Sequence, residues 1–221
     1  MIKAIIFDLD NTLIDFVKMK KLSCDAAIDS MIDNGLKMDK KKAFRLLFKI
    51  YDKYGWEYQK IFQEFVKQAT GKVDYKIVAA AIVGYKRVKE GLIYPYPGTV
   101  ATLMRLKKDY KLAVVSDAPR IQGWTRLVAM GMQDMFDHII TFEDTHVKKP
   151  GLAPYRLALK KLRIKPNEAI MVGDCYKRDI APAHRLGMTT VFAKYGESKT
   201  KGKADYIIND ISELLKIVKK V

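Results

Sequence analysis

From residue 99 onward, short apolar runs alternate with stretches in which apolar residues recur every three or four positions. The runs are 111–115, 138–141, 168–172, 189–192 and 206–208; the helical stretches are 99–108, 122–130, 154–162, 177–186 and 211–219. Strands that are apolar on both sides need cover on both sides. The pattern therefore predicts an α/β fold, a Rossmann-like parallel sheet with helices on both faces. A sixth apolar run, 2–7, opens the chain. In open sheets of this kind ligands lie beyond the carboxyl ends of the strands.

Between the first run and the alternating region the period changes. Residues 18–34, 39–54, 56–69 and 73–89 each carry helical spacing, and Gly35, Gly55, Gly71 and Gly91 stand where helices should stop. The sequence Tyr-Pro-Tyr-Pro-Gly at 94–98 then ends the helical pattern. Residues 16–93 thus read as an all-helical insert, with 1–15 and 94–221 forming one core domain. With 221 residues, 49% of them hydrophobic, the chain can bury a sizeable core.

The strand ends carry the chemistry. The run 2–7 leads into Asp8-Leu-Asp10-Asn-Thr12, and residues two apart in extended chain share a side. One carboxylate can attack as a nucleophile while the other handles a proton. The run 168–172 leads into Gly173-Asp174, with Asp179 five residues on. Four carboxylates in one cleft repel each other unless cations join them. A hard divalent ion with oxygen ligands answers that need, Mg2+ being the natural choice, with a lysine as the second cation. The run 111–115 ends in Ser116-Asp117, which offers a hydroxyl and backbone N–H groups, and Lys148-Lys149-Pro150 precedes the helix at 154–162. Taken singly, each piece also fits a turn or a solvated charge pair.

Taken in order, Asp8-x-Asp10-x-Thr12, Ser116, Lys149-Pro150 and Gly173-Asp174-x-x-x-x-Asp179 resemble the four motifs of the haloacid dehalogenase-like hydrolases. That superfamily consists mostly of magnesium-dependent phosphatases, and the resemblance spans nearly the whole chain. It implies a central Asp8 strand flanked by the Ser116 and Asp174 strands. It also implies that 16–93 is a helical cap of the superfamily's first type, one that closes over the active site. Asp8 would be the nucleophile and Asp10 the general acid and base. Thr12, Ser116, Asp117 (through its backbone N–H) and Lys149 would bind phosphate. Mg2+ would be held by Asp8, by the backbone carbonyl of Asp10 and by Asp174, with Asp179 nearby or acting through water. Two stretches, 26–35 and 169–174, are similar to archaeal proteins described as glyceraldehyde 3-phosphate phosphatases.

Three departures qualify the resemblance. Asp117 stands where relatives often have Asn or Gly, and its charge would repel phosphate if it faced inward. Leu152 stands where many relatives carry a second proline. Neighbouring Lys148 and Lys149 face opposite ways in extended chain; Lys149 is preferred for its place before Pro150. A dehalogenase is disfavoured, because those enzymes lack the carboxylate that Asp10 supplies.

The implied activity is hydrolysis of small phosphate monoesters through an aspartyl-phosphate. The alternatives are a sugar phosphomutase on the same scaffold and a non-catalytic module that binds nucleic acid or protein. Net charge is +16, with 17 Lys and Arg against 9 Asp and Glu in 16–93 and 24 against 16 elsewhere. The excess is spread over the chain, which favours a lysine-rich surface that attracts anionic substrates over a nucleic-acid arm. The expected partner is a small phosphorylated metabolite, and the oligomeric state is open. The longest apolar run, 77–84, is far too short to span a membrane. Met1 leads directly into a strand carrying Lys3 and then Asp8, not into a secretion signal. Cys24 and Cys175 form no framework, and His138, His146 and His184 lack zinc-ligand spacing. The expected compartment is the cytoplasm.

Overall fold

The computed structural model describes residues 1–196 and 201–221. Residues Met1–Phe16 and Tyr94–Val221 form one compact unit and Val17–Ile93 a second.

The first unit is built on a six-stranded, all-parallel sheet. Its strands are β1 (Ala4–Phe7), β2 (Lys111–Val115), β3 (His138–Ile140), β4 (Ala169–Gly173), β5 (Thr189–Ala193) and β6 (Tyr206–Ile208), in spatial order β3-β2-β1-β4-β5-β6. β1 is central, with Phe7 level with Val114 of β2 and Val172 of β4. That register brings the residues following three strands, Asp8, Ser116 and Asp174, to one edge of the sheet.

Every residue of β1 and β4 is buried. On one face Ala4, Ile6, Ala113, Val115, Ala169 and Met171 pack with Tyr155, Ala158, Leu159 and Leu162 of an amphipathic helix, Ala153–Leu162, and with Ala183. On the other, Ile5, Phe7, Leu112, Val114, Ile170 and Val172 are equally buried, and Phe7 meets Phe136 edge to face. This two-sided burial is why the strands read as unbroken apolar runs and not as alternating ones.

The second unit is helical: α1 (Phe16–Asp33), which starts one residue inside the first unit, α2 (Lys40–Tyr54), α3 (Ile61–Thr70) and α4 (Tyr75–Gly91). Cys24, Ile28 and Met31 of α1, Leu47 and Tyr51 of α2, Phe65 of α3 and Ala81 of α4 share one buried cluster. Asp39 caps the start of α2 by accepting from the Lys42 N–H, and Asp74 that of α4 by accepting from the Lys76 and Ile77 N–H groups, donors the helix itself cannot satisfy. α4 crosses α1 closely at Gly84, where a methyl group would overlap Ser30. α3 starts at Ile61, not at 56, because the chain turns after Gly55 and the Trp56 carbonyl accepts from the buried Lys20 Nζ at 2.7 Å. Gly91 is the last residue of α4, which Leu92 caps.

The remaining helices of the first unit are α5 (Thr99–Leu106), α6 (Arg120–Ala129), α7 (Phe142–Thr145), α8 (Ala153–Leu162), α9 (Ala181–Leu186) and α10 (Leu214–Ile217). α7 carries no helical period long enough to read in sequence. Thr141 leaves the strand pattern to cap it, its N–H and hydroxyl both donating to Asp144. The stretch 177–186 is not one helix but a wide π-type turn, Tyr176–Ile180, followed by α9. The stretch 211–219 likewise opens as a 3-10 turn, Ile211–Glu213. Among the described residues, no helix is long and apolar enough to cross a membrane.

Candidate active site

β1 ends at Phe7, so the alternation of extended chain does not carry through to Asp10. The chain instead folds into a loop in which the Leu9 carbonyl accepts from the amides of Leu13 and Ile14, and Asn11 takes a left-handed conformation at φ 61°. Asn tolerates that conformation better than most residues. The Asp8 carboxylate is 4% exposed and its Oδ1 is held twice, by the Leu9 N–H at 2.8 Å and by Lys149 Nζ at 2.6 Å. Those two donors fix how the carboxylate is turned.

Lys149 reaches it from the loop before α8. Its side chain is 1% exposed, and Nζ also donates to Asp179 Oδ1 at 2.7 Å and to the Val115 carbonyl at 3.3 Å. The Lys148 ammonium instead sits over the Phe142 ring, 5.6 Å from its centre. Burial works against charge on Lys149, but Asp179 and Asp8 outweigh it and hold the ammonium protonated.

Asp179 is fully buried, and both its oxygens are engaged: Oδ1 by Lys149 and Oδ2 by the Cys175 N–H at 3.0 Å. The π-type turn makes this possible, since the amides of Asp179 and Ile180 both close on the Cys175 carbonyl. Gly173 allows it sterically, for a methyl group there would overlap the Asp179 side chain. Asp174 is 1% exposed, and its Oδ1 has no hydrogen-bond partner among the described residues. A methyl group on Gly196 would strike Asp174 and the Asn11 carbonyl, so the chain after β5 closes directly on the two loops.

Oxygens of Asp8, Asp174 and Asp179 all lie within 4.8 Å of one another. Three buried carboxylates outnumber the two cations acting on them, Lys149 and Arg178, and Asp174 bears the consequence. Burial, then Asp8 and Asp179, push its carboxyl up to about 7 from an ordinary 3.8. Burial also pushes Asp179 up, against the pull of Lys149. An all-oxygen donor set with an orphaned, buried Asp174 oxygen fits a hard divalent cation such as Mg2+.

Asp10 is not one of the three. Its Oδ2 accepts from Arg126 Nη1 of α6 at 3.0 Å, and that guanidinium lies over the Phe16 ring, 4.4 Å from its centre. Of the four carboxylates expected in one cleft, three have oxygens within 4.8 Å of one another, and the fourth, Asp10, is paired with a cation of its own. Arg126 escapes sequence reading because one arginine in an amphipathic helix looks like a solvated charge; its 4% exposure is visible only in the fold.

Ser116 is buried at the end of β2, its N–H donating to the Ile140 carbonyl and its Oγ accepting from the Ala118 N–H at 3.1 Å. Asp117 turns its carboxylate away into structure: Oδ1 accepts from the Lys149 N–H at 2.8 Å, and Arg178 lies 4.0 Å from Oδ2. The Thr12 hydroxyl is buried with no partner among the described residues, while its carbonyl accepts from Tyr195 at 3.0 Å.

Two expectations follow from this geometry. Lys149→Met leaves three buried carboxylates without their ammonium and should cost about 3–5 kcal/mol of stability, the usual cost of breaking a buried pair. Lys148→Met should change stability by less than about 0.5 kcal/mol. Denaturant unfolding of both variants measures the difference, and equal losses would mean that the buried pair is not what holds this loop. The second expectation concerns pH. Native Asp174 keeps a proton that the unfolded chain has released, so its contribution favours folding at low pH and is lost as pH rises from 3.8 to about 7. Stabilisation by added Mg2+ should grow over the same range, because the ion then competes with fewer protons. A Mg2+-induced thermal shift independent of pH would contradict this.

Comparison with known proteins agrees with the geometry. Residues 5–193 match the family described as haloacid dehalogenase-like hydrolase. A protein of Methanocaldococcus jannaschii named glyceraldehyde 3-phosphate phosphatase is 40% identical over 225 residues, covering 100% of this chain and 99% of its own. One of the same name from Pyrococcus furiosus is 34% identical, covering 99% and 94%. The crystal structure of a HAD phosphatase from Thermococcus onnurineus superposes with a TM-score of 0.74 at 28% identity, covering 98% of each chain. The matched span runs from β1 to the end of β5 and contains all three clustered carboxylates, Asp10, Ser116 and Lys149. The chain belongs to the haloacid dehalogenase-like hydrolase family.

Proposed function

We propose that this protein is a Mg2+-dependent phosphatase that hydrolyses small phosphate monoesters through an aspartyl-phosphate on Asp8. The supporting observation is the buried Asp8, Lys149, Asp179 and Asp174 constellation, in which a lysine bridges two carboxylates and a buried Asp174 oxygen has no hydrogen-bond partner among the described residues. The relatives named above direct attention to glyceraldehyde 3-phosphate as the first substrate to try.

In this reading Asp8 attacks phosphorus as the ester P–O bond breaks, and Asp10 gives its proton to the departing alkoxide. Asp10 then takes a proton from water as that water attacks the phosphoryl group, breaking the P–O bond to Asp8 and releasing phosphate. The Ser116 hydroxyl and the Asp117 N–H hold the phosphoryl oxygens, and Thr12 lines the same loop. Lys149 neutralises charge there and keeps Asp8 turned for attack. Asp8, the Asp10 carbonyl and Asp174 would hold the metal, and Asp179, with both oxygens engaged, would support that site from beside it. When bound, Mg2+ supplies positive charge against the carboxylates and the transferring phosphoryl.

Residues 16–93 are the cap domain of this enzyme and select its substrate, whereas 1–15 and 94–221 are the catalytic core. The net charge of +16 draws anionic substrates in. The two cysteines are buried and not joined in a disulfide, which suits a reducing compartment, and the cytoplasm is the proposed one. The test is phosphate release by intact protein with Mg2+ over a panel of phosphorylated metabolites, phosphoproteins and polynucleotides. Small monoesters, triose phosphate among them, should lead. No release from any ester would overturn the reading.

A further inference from the structure

We propose that Arg126 is the positioning residue for Asp10: it grips Oδ2 so that the proton is exchanged at the carboxylate's other oxygen. The assignment rests on the phosphatase reading above and adds to it a residue that none of the four motifs contains.

Three observations carry it. Arg126 is 4% exposed, and a buried guanidinium is costly unless it is well paired. Its Nη1 meets Asp10 Oδ2 at 3.0 Å, although 116 residues separate the two in sequence. Its guanidinium carbon lies 4.4 Å from the centre of the Phe16 ring, a cation–π contact that adds to the ion pair. The site thus has two buried cations for two carboxylates of different duty. Lys149 fixes the nucleophile and Arg126 fixes the acid–base. Arg126 also rides on α6, the helix that follows the Ser116 turn, so the segment that binds phosphoryl oxygens also orients the proton donor.

A positioning role has a signature that packing lacks. The term kcat/KM reports events up to departure of the leaving group. An alkyl phosphate releases a strongly basic alkoxide that needs the Asp10 proton, while a nitrophenyl phosphate releases a stable phenolate that does not. Arg126→Met should therefore lower kcat/KM for an alkyl phosphate by about 10²-fold, the scale of loss for a misplaced group, and for the nitrophenyl ester by much less. kcat for the aryl ester should also fall, because water activation by Asp10 follows for both substrates. Arg126→Lys keeps the charge without the planar fork and should show the same pattern at smaller amplitude. It also provides the test if Arg126→Met fails to fold. Equal losses of kcat/KM for both esters, or no loss in either variant, would overturn the assignment while leaving the phosphatase reading intact. A wild-type protein inactive on every ester would remove that reading, and this assignment with it.

Discussion

Asp8→Asn is expected to end turnover of every phosphate ester while leaving the protein folded. The amide cannot form the acyl phosphate, so no slower version of the same route remains. The fold should survive because the Asn side-chain oxygen can still accept from the Leu9 N–H and Lys149 Nζ, the two donors now on Oδ1. Asp10→Asn should behave differently, losing about 10²–10⁴-fold, the range for removing a general acid–base. Steady-state rates beside circular dichroism and thermal melts make the comparison. Near-normal turnover in folded Asp8→Asn protein would refute the nucleophile assignment.

Removal of metal is expected to have an effect of the same size. Chelation with EDTA should abolish activity, and Mg2+ should restore it. Asp174→Ala should remain inactive at any Mg2+ level that restores the wild type. Asp174 offers a buried oxygen with no hydrogen-bond partner among the described residues, whereas both oxygens of Asp179 are engaged, by Lys149 and the Cys175 N–H. A calorimetric titration with Mg2+ supplies a readout independent of rate. Full activity in EDTA, or Mg2+ binding by Asp174→Ala as tight as in the wild type, would contradict this donor set.

The fold was legible because two-sided burial leaves a plain mark: β2 and β4 are nearly unbroken apolar runs with a polar residue at each tip. Parallel strands carry Asp8, Ser116 and Asp174 to one edge of the sheet, and the family resemblance supplied the strand order that makes them neighbours. What sequence could not carry were contacts that depend on a side chain's path after the strand stops. Period two in the residues did not show that β1 ends at Phe7 or that Asp10 pairs with Arg126. The charge of Asp117 is accounted for only in the fold, where its carboxylate accepts from the Lys149 N–H. The stretch 177–186 had a helical period throughout; only the need to bring Asp179 back onto Cys175 and Lys149 widens its first turn. Gly196 left no mark in the sequence, for its role is the close approach of Asp174 and Asn11 from distant loops.

The central claim is that phosphoryl transfer passes through Asp8. The most direct test mixes enzyme, Mg2+ and a phosphate monoester, quenches in acid within a turnover, and maps the phosphoryl group by peptide mass spectrometry. It should be found on Asp8, form no slower than the steady-state rate requires, vanish once the substrate is exhausted, and be absent from Asp8→Asn protein. Phosphate release at the full rate with Asp8 never modified, or with the phosphoryl group on another residue, would contradict it.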